Sequence, residues 1–308
     1  MMFDDENTIP FFSVVVPCYN RAELVVISIK SILDQDYRDF EVLVVDDGST
    51  DETAEKVKAL VNDDNRVKYF YKENEERSIA RNFGIKLARG KYVTFLDSDD
   101  RLHTSHLKTA YALLERNDMP EVGHLGFQIV DKCGNVILKR DNFDSTFKQK
   151  LIHENILLTN AIFIRSDIAK EVHFIPSKFA ILSEDWYLWL RLASRFNFCF
   201  DNSVTSSLVH HDQRSLVNID PLKLIHSTNV VVDWLKRDSE FMRFYMGRTN
   251  YHFANHFTFL TLMLAVSDYK RDAMKFMWVA IRYDFSVIFR RRFLASLKHL
   301  LLSFIPRR

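Results

Sequence analysis

The segment Lys91-Tyr-Val-Thr-Phe-Leu-Asp97-Ser-Asp99-Asp100 constrains this chain more than any other. Its β-branched and aromatic residues lead directly into three carboxylates, so a buried strand ends in concentrated negative charge. Carboxylates about 4 Å apart repel by about 1 kcal/mol in water and by about 4 kcal/mol at an effective dielectric of roughly 20. A cation at the strand tip relieves that repulsion. Hard oxygen ligands in an Asp-x-Asp arrangement suit Mg2+ or Mn2+, above all an ion already carrying phosphate oxygens. A solvated acidic turn capping the next helix is the alternative, and these four residues alone do not decide between the two.

The preceding sequence supplies the context. Phe11 to Val16 and Phe40 to Val45 read as buried strands and Arg66 to Tyr71 as a third strand, each followed by a helical pattern, before the strand that ends at Asp97. Ser49-x-x-Glu52 reads as a capping box opening the second helix, and Gly90 as the close of the third. Alternating strands and helices specify a parallel α/β sheet, whose ligands bind beyond the carboxyl ends of the strands. Three of these four ends carry Pro17-Cys-Tyr-Asn20, Asp46-Asp-Gly-Ser49 and Asp97-Ser-Asp-Asp100. This convergence of polar groups on one crevice is more specific than any single motif. Beyond Asp100 the pattern turns α+β, with a hairpin around Lys132-Cys-Gly-Asn135, a strand near Asn160 to Arg165, and a helix opened by Ser183-Glu-Asp185. Acidic residues in a first turn are favoured by the helix dipole alone, so Glu184 and Asp185 read in isolation as a cap. With seven glycines, the chain has neither a P-loop nor a Gly-x-Gly-x-x-Gly phosphate cradle.

In their order these motifs resemble family 2 glycosyltransferases of the GT-A fold. Val14-Val-Val-Pro17-Cys-Tyr-Asn-Arg21 is similar to the family's opening strand, and Val44-Val-Asp-Asp-Gly-Ser-Thr-Asp51 to its second. Ala80-Arg-Asn-x-Gly84 is similar to the nucleotide-contacting helix, Asp97-Ser-Asp-Asp100 to the DxD motif, and Glu184-Asp-Trp186 to the catalytic acidic pair. The resemblance implies a GT-A domain over residues 11–215 after a tail of residues 1–10. Residues 11–100 would be its nucleotide half, residues 101–215 its acceptor half, and residues 216–308 a helical extension. It implies a UDP-sugar donor held by Pro17, Tyr19, Asn20, Asp47, Ser78, Arg81, Asp97 and Ser98. The Tyr19 ring would lie against uracil, Asp47 would accept the imide N–H, and Asp97 would lie near the ribose. Asp99 would bind Mn2+ or Mg2+, completed by a histidine of His210-His211, with His211 favoured by its spacing to Arg214-Ser215. Asp185 would be the general base of an inverting transfer, and Glu184 would orient the acceptor. Cys18 departs from the commoner Ser or Thr beside the tyrosine.

Composition bears on compartment and partners. Cys18, Cys133 and Cys199 form no Cys-x-x-Cys pair, which argues against a disulfide framework or zinc and for a reducing, cytoplasmic setting. Asp4, Asp5 and Glu6 stand where a signal peptide carries basic residues. The apolar run from Tyr251 to Ser267 is shorter than the roughly 20 residues of a spanning helix. From Lys270 onward ten Lys and Arg face Asp272 and Asp284, so a +8 tail follows a −7 body. The stripe Phe293, Leu294, Leu297, Leu300, Leu301, Phe304 and Ile305, flanked by arginines, predicts an amphipathic helix. That helix would lie on the anionic cytoplasmic face of a membrane, or pack on a helix from Met274 to Phe289 or on a second subunit. Expected partners are therefore a nucleotide-sugar, a saccharide or lipid-linked acceptor and this surface, and no nucleic acid. Competing functions are a sugar nucleotidyltransferase, which would be expected to carry a Gly-rich loop, and a catalytically silent sugar-nucleotide-binding scaffold, which would be expected to lack the acidic pair.

Overall fold

The apolar runs become parallel strands where their sequence places them. In the computed structural model, which describes residues 9–181, 183–211 and 220–302, β1 (Phe12–Cys18), β2 (Phe40–Asp46), β3 (Val67–Tyr71) and β4 (Tyr92–Phe95) lie in the order β3-β2-β1-β4. β1, β2 and β4 are buried along their whole length, which is why they read as continuous rather than alternating apolar runs. Helices α1 (Ala22–Leu33), α2 (Thr53–Asp63) and α3 (Arg77–Leu87) make the crossovers. Val14 and Val16 pack with Val25 and Ile29 of α1 and Val57 of α2, while Val15 meets α3. There a Cβ on Gly84 would lie 2.3 Å from Val15 Cγ1, so only glycine lets α3 sit this close. The chain runs outward from β1 to β3 and then returns to β4, so right-handed crossovers put α3 on the opposite face from α1 and α2.

The second half of the sheet is mixed. After β5 (Arg101–Leu102), α4 (His106–Arg116), β6 (Val122–Val130), β7 (Val136–Arg140) and α5 (Phe147–Leu151) come β8 (Ile162–Arg165), α6 (Ser166–Glu171), α7 (Glu184–Arg195) and β9 (Phe198–Val209). The order continues β4-β8-β6-β9-β5, with β7 folded back onto β6. β8 is antiparallel to β4 and β6, whereas β9 is parallel to β6 and antiparallel to β5.

Two local readings are corrected and one strand is added. The capping box at Ser49 does not form: α2 starts at Thr53 without a side-chain cap, and the Ser49 hydroxyl instead accepts the Asn20 N–H at 2.9 Å. Gly90 is not the helix terminator, since α3 ends at Leu87; a Cβ there would lie 2.6 Å from Ser13 N. β9 is a strand without a counterpart in the sequence reading.

The described residues group into two compact units. One contains residues 9–147, 156–178 and 195–211, hence the whole sheet; the other contains 148–155, 179–181, 183–194 and 220–302. The second unit is built on α8 (Pro221–Arg237), α9 (Ser239–Phe244), α10 (Thr249–Val266), α11 (Lys270–Tyr283) and α12 (Arg291–Leu302). A single helix from Met274 to Phe289 does not occur: Asp284 adopts an extended conformation, and its carboxylate caps a 3-10 turn, Phe285–Phe289, through Ser286 N at 2.8 Å. On α12, Phe293 and Leu300 are buried, so part of the predicted membrane-facing stripe is core. Residues Phe304 and Ile305 of that stripe lie outside the described residues. Among the described residues no helix is long and apolar enough to cross a membrane.

α10 carries a buried histidine pair whose tautomers are fixed by its partners. His252 Nδ1 lies 2.8 Å from the Ile152 carbonyl, which only accepts, so Nδ1 carries the proton. Its Nε2 must then accept from His256 Nε2, 3.1 Å away. Burial holds His252 down at about 4 and His256 well below the ordinary value of 6.5. In the first unit burial likewise holds His106 and His124 at about 3. The unfolded chain therefore binds more protons than the folded one once pH drops below about 6.5, and stability is lost as pH falls toward the folded values. Urea midpoints measured from pH 7 down to about 5, above the main carboxylate range, are expected to fall steadily. A flat profile would show that these histidines are not held neutral.

Candidate functional site

The carboxyl ends of β1 and β2 are tied together by their own side chains. Asn20 takes a left-handed conformation (φ 50°), which Asn tolerates better than most residues, and its Oδ1 accepts Thr50 N at 2.8 Å. Gly48 has φ 85°, and a Cβ there would lie 2.8 Å from Asn74 N. The two carboxylates after β2 divide the work. Asp46 is fully buried and structural, accepting Ser49 N at 2.8 Å and the Tyr69 hydroxyl at 2.7 Å. Asp47 takes Lys72 Nζ at 2.7 Å and Glu75 N at 3.1 Å, both on Oδ1. Glu76, next in line, has φ 78° and ψ 159°, a region that non-glycine residues occupy only under strain. Tyr19 leaves 48% of its surface open at this end, while Cys18 is buried with its thiol pKa pushed up by burial.

The DxD segment is fixed from two directions. Arg81, buried on α3, places NH2 2.6 Å from Asp97 Oδ1 and stacks its guanidinium over Phe174 at 5.2 Å. Asp97 and Pro17 each lie two residues beyond a paired couple, Phe95 and Val15, so they reach the same level of the sheet. On the other side, Arg101 pairs with Ser207 and Leu102 with Ser206 in antiparallel register. Following β9 forward and β5 backward, this register sets Val209 opposite Asp99, and the side chain of His211, two residues further on, reaches back so that its Nε2 lies 2.9 Å from Asp99 Oδ2. Asp100 holds this junction: its carboxylate, 2% exposed, accepts Val209 N at 3.0 Å and Asn160 Nδ2 at 3.3 Å. Ser206 in turn donates to Asn160 Oδ1 at 3.1 Å.

The acidic pair belongs to the second unit. Glu184 and Asp185 form the first turn of α7, after Ser183 at φ 63°. Glu184 is buried, whereas Asp185 is partly exposed and takes Asn155 Nδ2 at 3.1 Å and Trp186 N at 2.7 Å. Trp186 is locked behind it, with Nε1 donating to Leu151 O at 2.7 Å and its ring 4.8 Å from that of His252.

Thus Pro17, Tyr19, Asn20, Asp47, Ser78, Arg81, Asp97, Ser98, Asp99 and His211 all lie in the first unit, and Glu184 and Asp185 in the second. Ser78 and Ser98 are buried. The structure adds Lys72, Asp100 and Asn160, which the sequence reading did not select. Asp100 alone was signalled, by its place in the acidic cluster; the partners of Lys72 and Asn160 are remote in sequence. Among the described residues no group of three or more His, Cys, Asp or Glu side chains is gathered as a metal centre. Asp99 and His211 nevertheless offer one oxygen and one nitrogen donor side by side, which fits a divalent ion that takes its remaining ligands from phosphate and water.

Comparison with known proteins agrees with this architecture. The Glycosyl transferase family 2 model matches residues 13–184, more than half of the chain. A Campylobacter jejuni GalNAc(5)-diNAcBac-PP-undecaprenol beta-1,3-glucosyltransferase is 30% identical over 200 residues, covering 61% of this chain and 62% of that protein. Rickettsia glycosyltransferases that match at 32–34% identity are covered over only 26–30% of their own length. Among solved structures, Staphylococcus aureus TarS 1-349 in complex with UDP superposes with TM-score 0.68 at 20% identity, over 95% of this chain and 88% of that one. The mannosyltransferase PcManGT from Pyrobaculum calidifontis, in complex with GDP-Man and Mn2+, gives TM-score 0.55 at 15% identity over 96% and 88%. The fold is GT-A, with helices following it.

The Asp47–Lys72 pair gives a direct test of how this crevice is held. With Lys72 only 11% exposed and Asp47 5%, Lys72→Met leaves a buried carboxylate short of its cation. The expected loss of folding stability in urea is about 3 kcal/mol, toward the lower end for buried pairs because Glu75 N remains bonded. A loss below about 1 kcal/mol, the range of a surface pair, would contradict this.

Proposed function

The chain belongs to glycosyl transferase family 2, and from that premise we propose that it transfers a hexose from a UDP-sugar to a saccharide or lipid-linked acceptor, with inversion at the anomeric carbon. The observation that supports this most is the meeting of Asp99 and His211 beside the Arg81–Asp97 pair at the sheet's carboxyl edge. UDP in TarS favours a uridine donor, and the name of the Campylobacter relative favours a lipid-linked acceptor. Tyr19 supplies an aromatic face for the base, and Asp47, bonded by the protein on Oδ1, uses Oδ2 to accept the imide N–H. Asp97, oriented by Arg81, takes the ribose hydroxyls. Asp99 and His211 would hold Mn2+ or Mg2+, which when bound neutralises charge on the diphosphate.

Asp185 acts as the general base. Asn155 and the Trp186 N–H hold its carboxylate in one orientation, and the amino end of α7 favours its ionised form. As the acceptor oxygen bonds to the anomeric carbon, Asp185 takes the hydroxyl proton, and the carbon–oxygen bond to the diphosphate breaks on the opposite face with UDP keeping the electron pair. One displacement leaves the configuration inverted and requires no covalent sugar-enzyme intermediate. Glu184, buried beside it, orients the acceptor.

Asp185→Asn is expected to lower kcat roughly 100- to 10,000-fold while leaving the Kd for UDP unchanged, because the amide keeps the shape and cannot take the proton. An α-linked UDP-sugar is expected to give a β-linked product by NMR. Turnover that survives Asp185→Asn would remove the base assignment, and an α-linked product would remove the single displacement.

A further inference from the structure

The surface of the C-terminal unit carries a feature that the transferase reading leaves unused. α11 buries Ala273, Phe276 and Ala280. On the opposite side of the helix, at spacings of three, four and seven, it exposes Arg271, Met274, Lys275, Trp278 and Arg282. Trp278 keeps 63% of its surface open. The turn that follows exposes Phe285 at 64% and Phe289 at 75%, and is succeeded by exposed Arg290 and Arg291 and by Leu294 at 53%. Single exposed apolar side chains are ordinary on a protein surface, but a run of large aromatic ones along one helix and its following turn marks a contact surface. Only two acidic residues, Asp272 and Asp284, fall between Lys270 and Leu302, and both are partly buried. Asp284 is further engaged in capping the turn through Ser286 N at 2.8 Å.

We propose that this face docks on an anionic phospholipid surface, with Trp278, Phe285 and Phe289 entering the headgroup and upper acyl region and the surrounding arginines and lysines meeting lipid phosphates. The chemistry selects this occupant. Exposed indole and phenyl rings bordered by cations match a layer that is apolar beneath and negative above. A second copy would set one basic face against another, which like-charge repulsion disfavours. The surface differs from the predicted α12 stripe, in which Phe293 and Leu300 are core residues, although Leu294 of that stripe is exposed and contributes here. The inference rests on exposure and charge in this unit and is independent of the transferase activity.

The test is co-sedimentation of the full chain with phosphatidylcholine vesicles with and without phosphatidylglycerol. Two variants are compared with wild type: Trp278→Ser/Phe285→Ser/Phe289→Ser, and the charge reversal Arg271→Glu/Lys275→Glu/Arg282→Glu. Because all six positions are exposed, both variants are expected to keep the thermal melt and UDP affinity of wild type. Wild type is expected to bind only the vesicles containing phosphatidylglycerol, and each variant to bind them at least tenfold more weakly. Equal binding to both vesicle types, no binding to either, or undiminished binding by both variants would overturn the proposal. A concentration-dependent dimer in analytical ultracentrifugation, lost in the triple-serine variant, would also overturn it, in favour of a second copy.

Discussion

A buried carboxylate, Asp100, holds the candidate site in place. It lies in the acidic cluster itself, yet it faces inward, where it accepts the Val209 N–H at 3.0 Å and an Asn160 amide proton at 3.3 Å. Burying a charge is unfavourable unless hydrogen bonds replace its water. Here the bond from Val209 N joins the turn between β4 and β5 to the end of β9, 109 residues away in sequence. That union puts His211 against Asp99 and leaves Asp97 to Arg81. Three adjacent carboxylates thus have three different fates, one structural and two directed at the crevice.

The same division of labour recurs after β2. Asp46 is consumed by Tyr69 and Ser49, while Asp47 is neutralised on one side by Lys72 and Glu75 N. In the first unit, positive φ at Asn20 and Glu76 falls in loops beside candidate residues, and at Asp118 and Met119 in a loop away from them. A parallel sheet makes this possible because its strands are rigid and buried on both faces, so loops at one edge can adopt unfavourable conformations on a fixed support.

Much of this was legible in the sequence for a physical reason. Strands covered on both faces must be apolar throughout, so β1, β2 and β4 are visible as uninterrupted runs, and the polar residues at which they stop form the candidate site. β9 was not legible because Asp201, Asn202, Ser203, Ser206 and Ser207 interrupt its apolar pattern. Its register against β6 shifts at Gly126, where a Cβ would lie 2.6 Å from Asn202 O. The joining of residues 148–155 and 183–194 to the C-terminal helices was equally hidden, because it depends on contacts such as His252 to Ile152 and Trp186 to Leu151 that leave no local pattern. The α12 stripe showed the reverse difficulty: helical periodicity identifies an apolar face but does not distinguish core, as at Phe293, from surface, as at Leu294.

The central proposal is that the edge formed by β1, β2, β4 and β9 binds a uridine diphosphate together with a divalent ion. Calorimetric titration with UDP, GDP, CMP and dTDP, with and without Mn2+, on wild type, Asp99→Asn and His211→Ala tests it without knowledge of the sugar or acceptor. The account predicts tight binding of UDP alone among the four, enhanced by Mn2+, with the enhancement lost in both variants. Preference for another nucleotide would contradict the roles of Tyr19 and Asp47, and Mn2+ enhancement that persists in both variants would contradict the Asp99–His211 site.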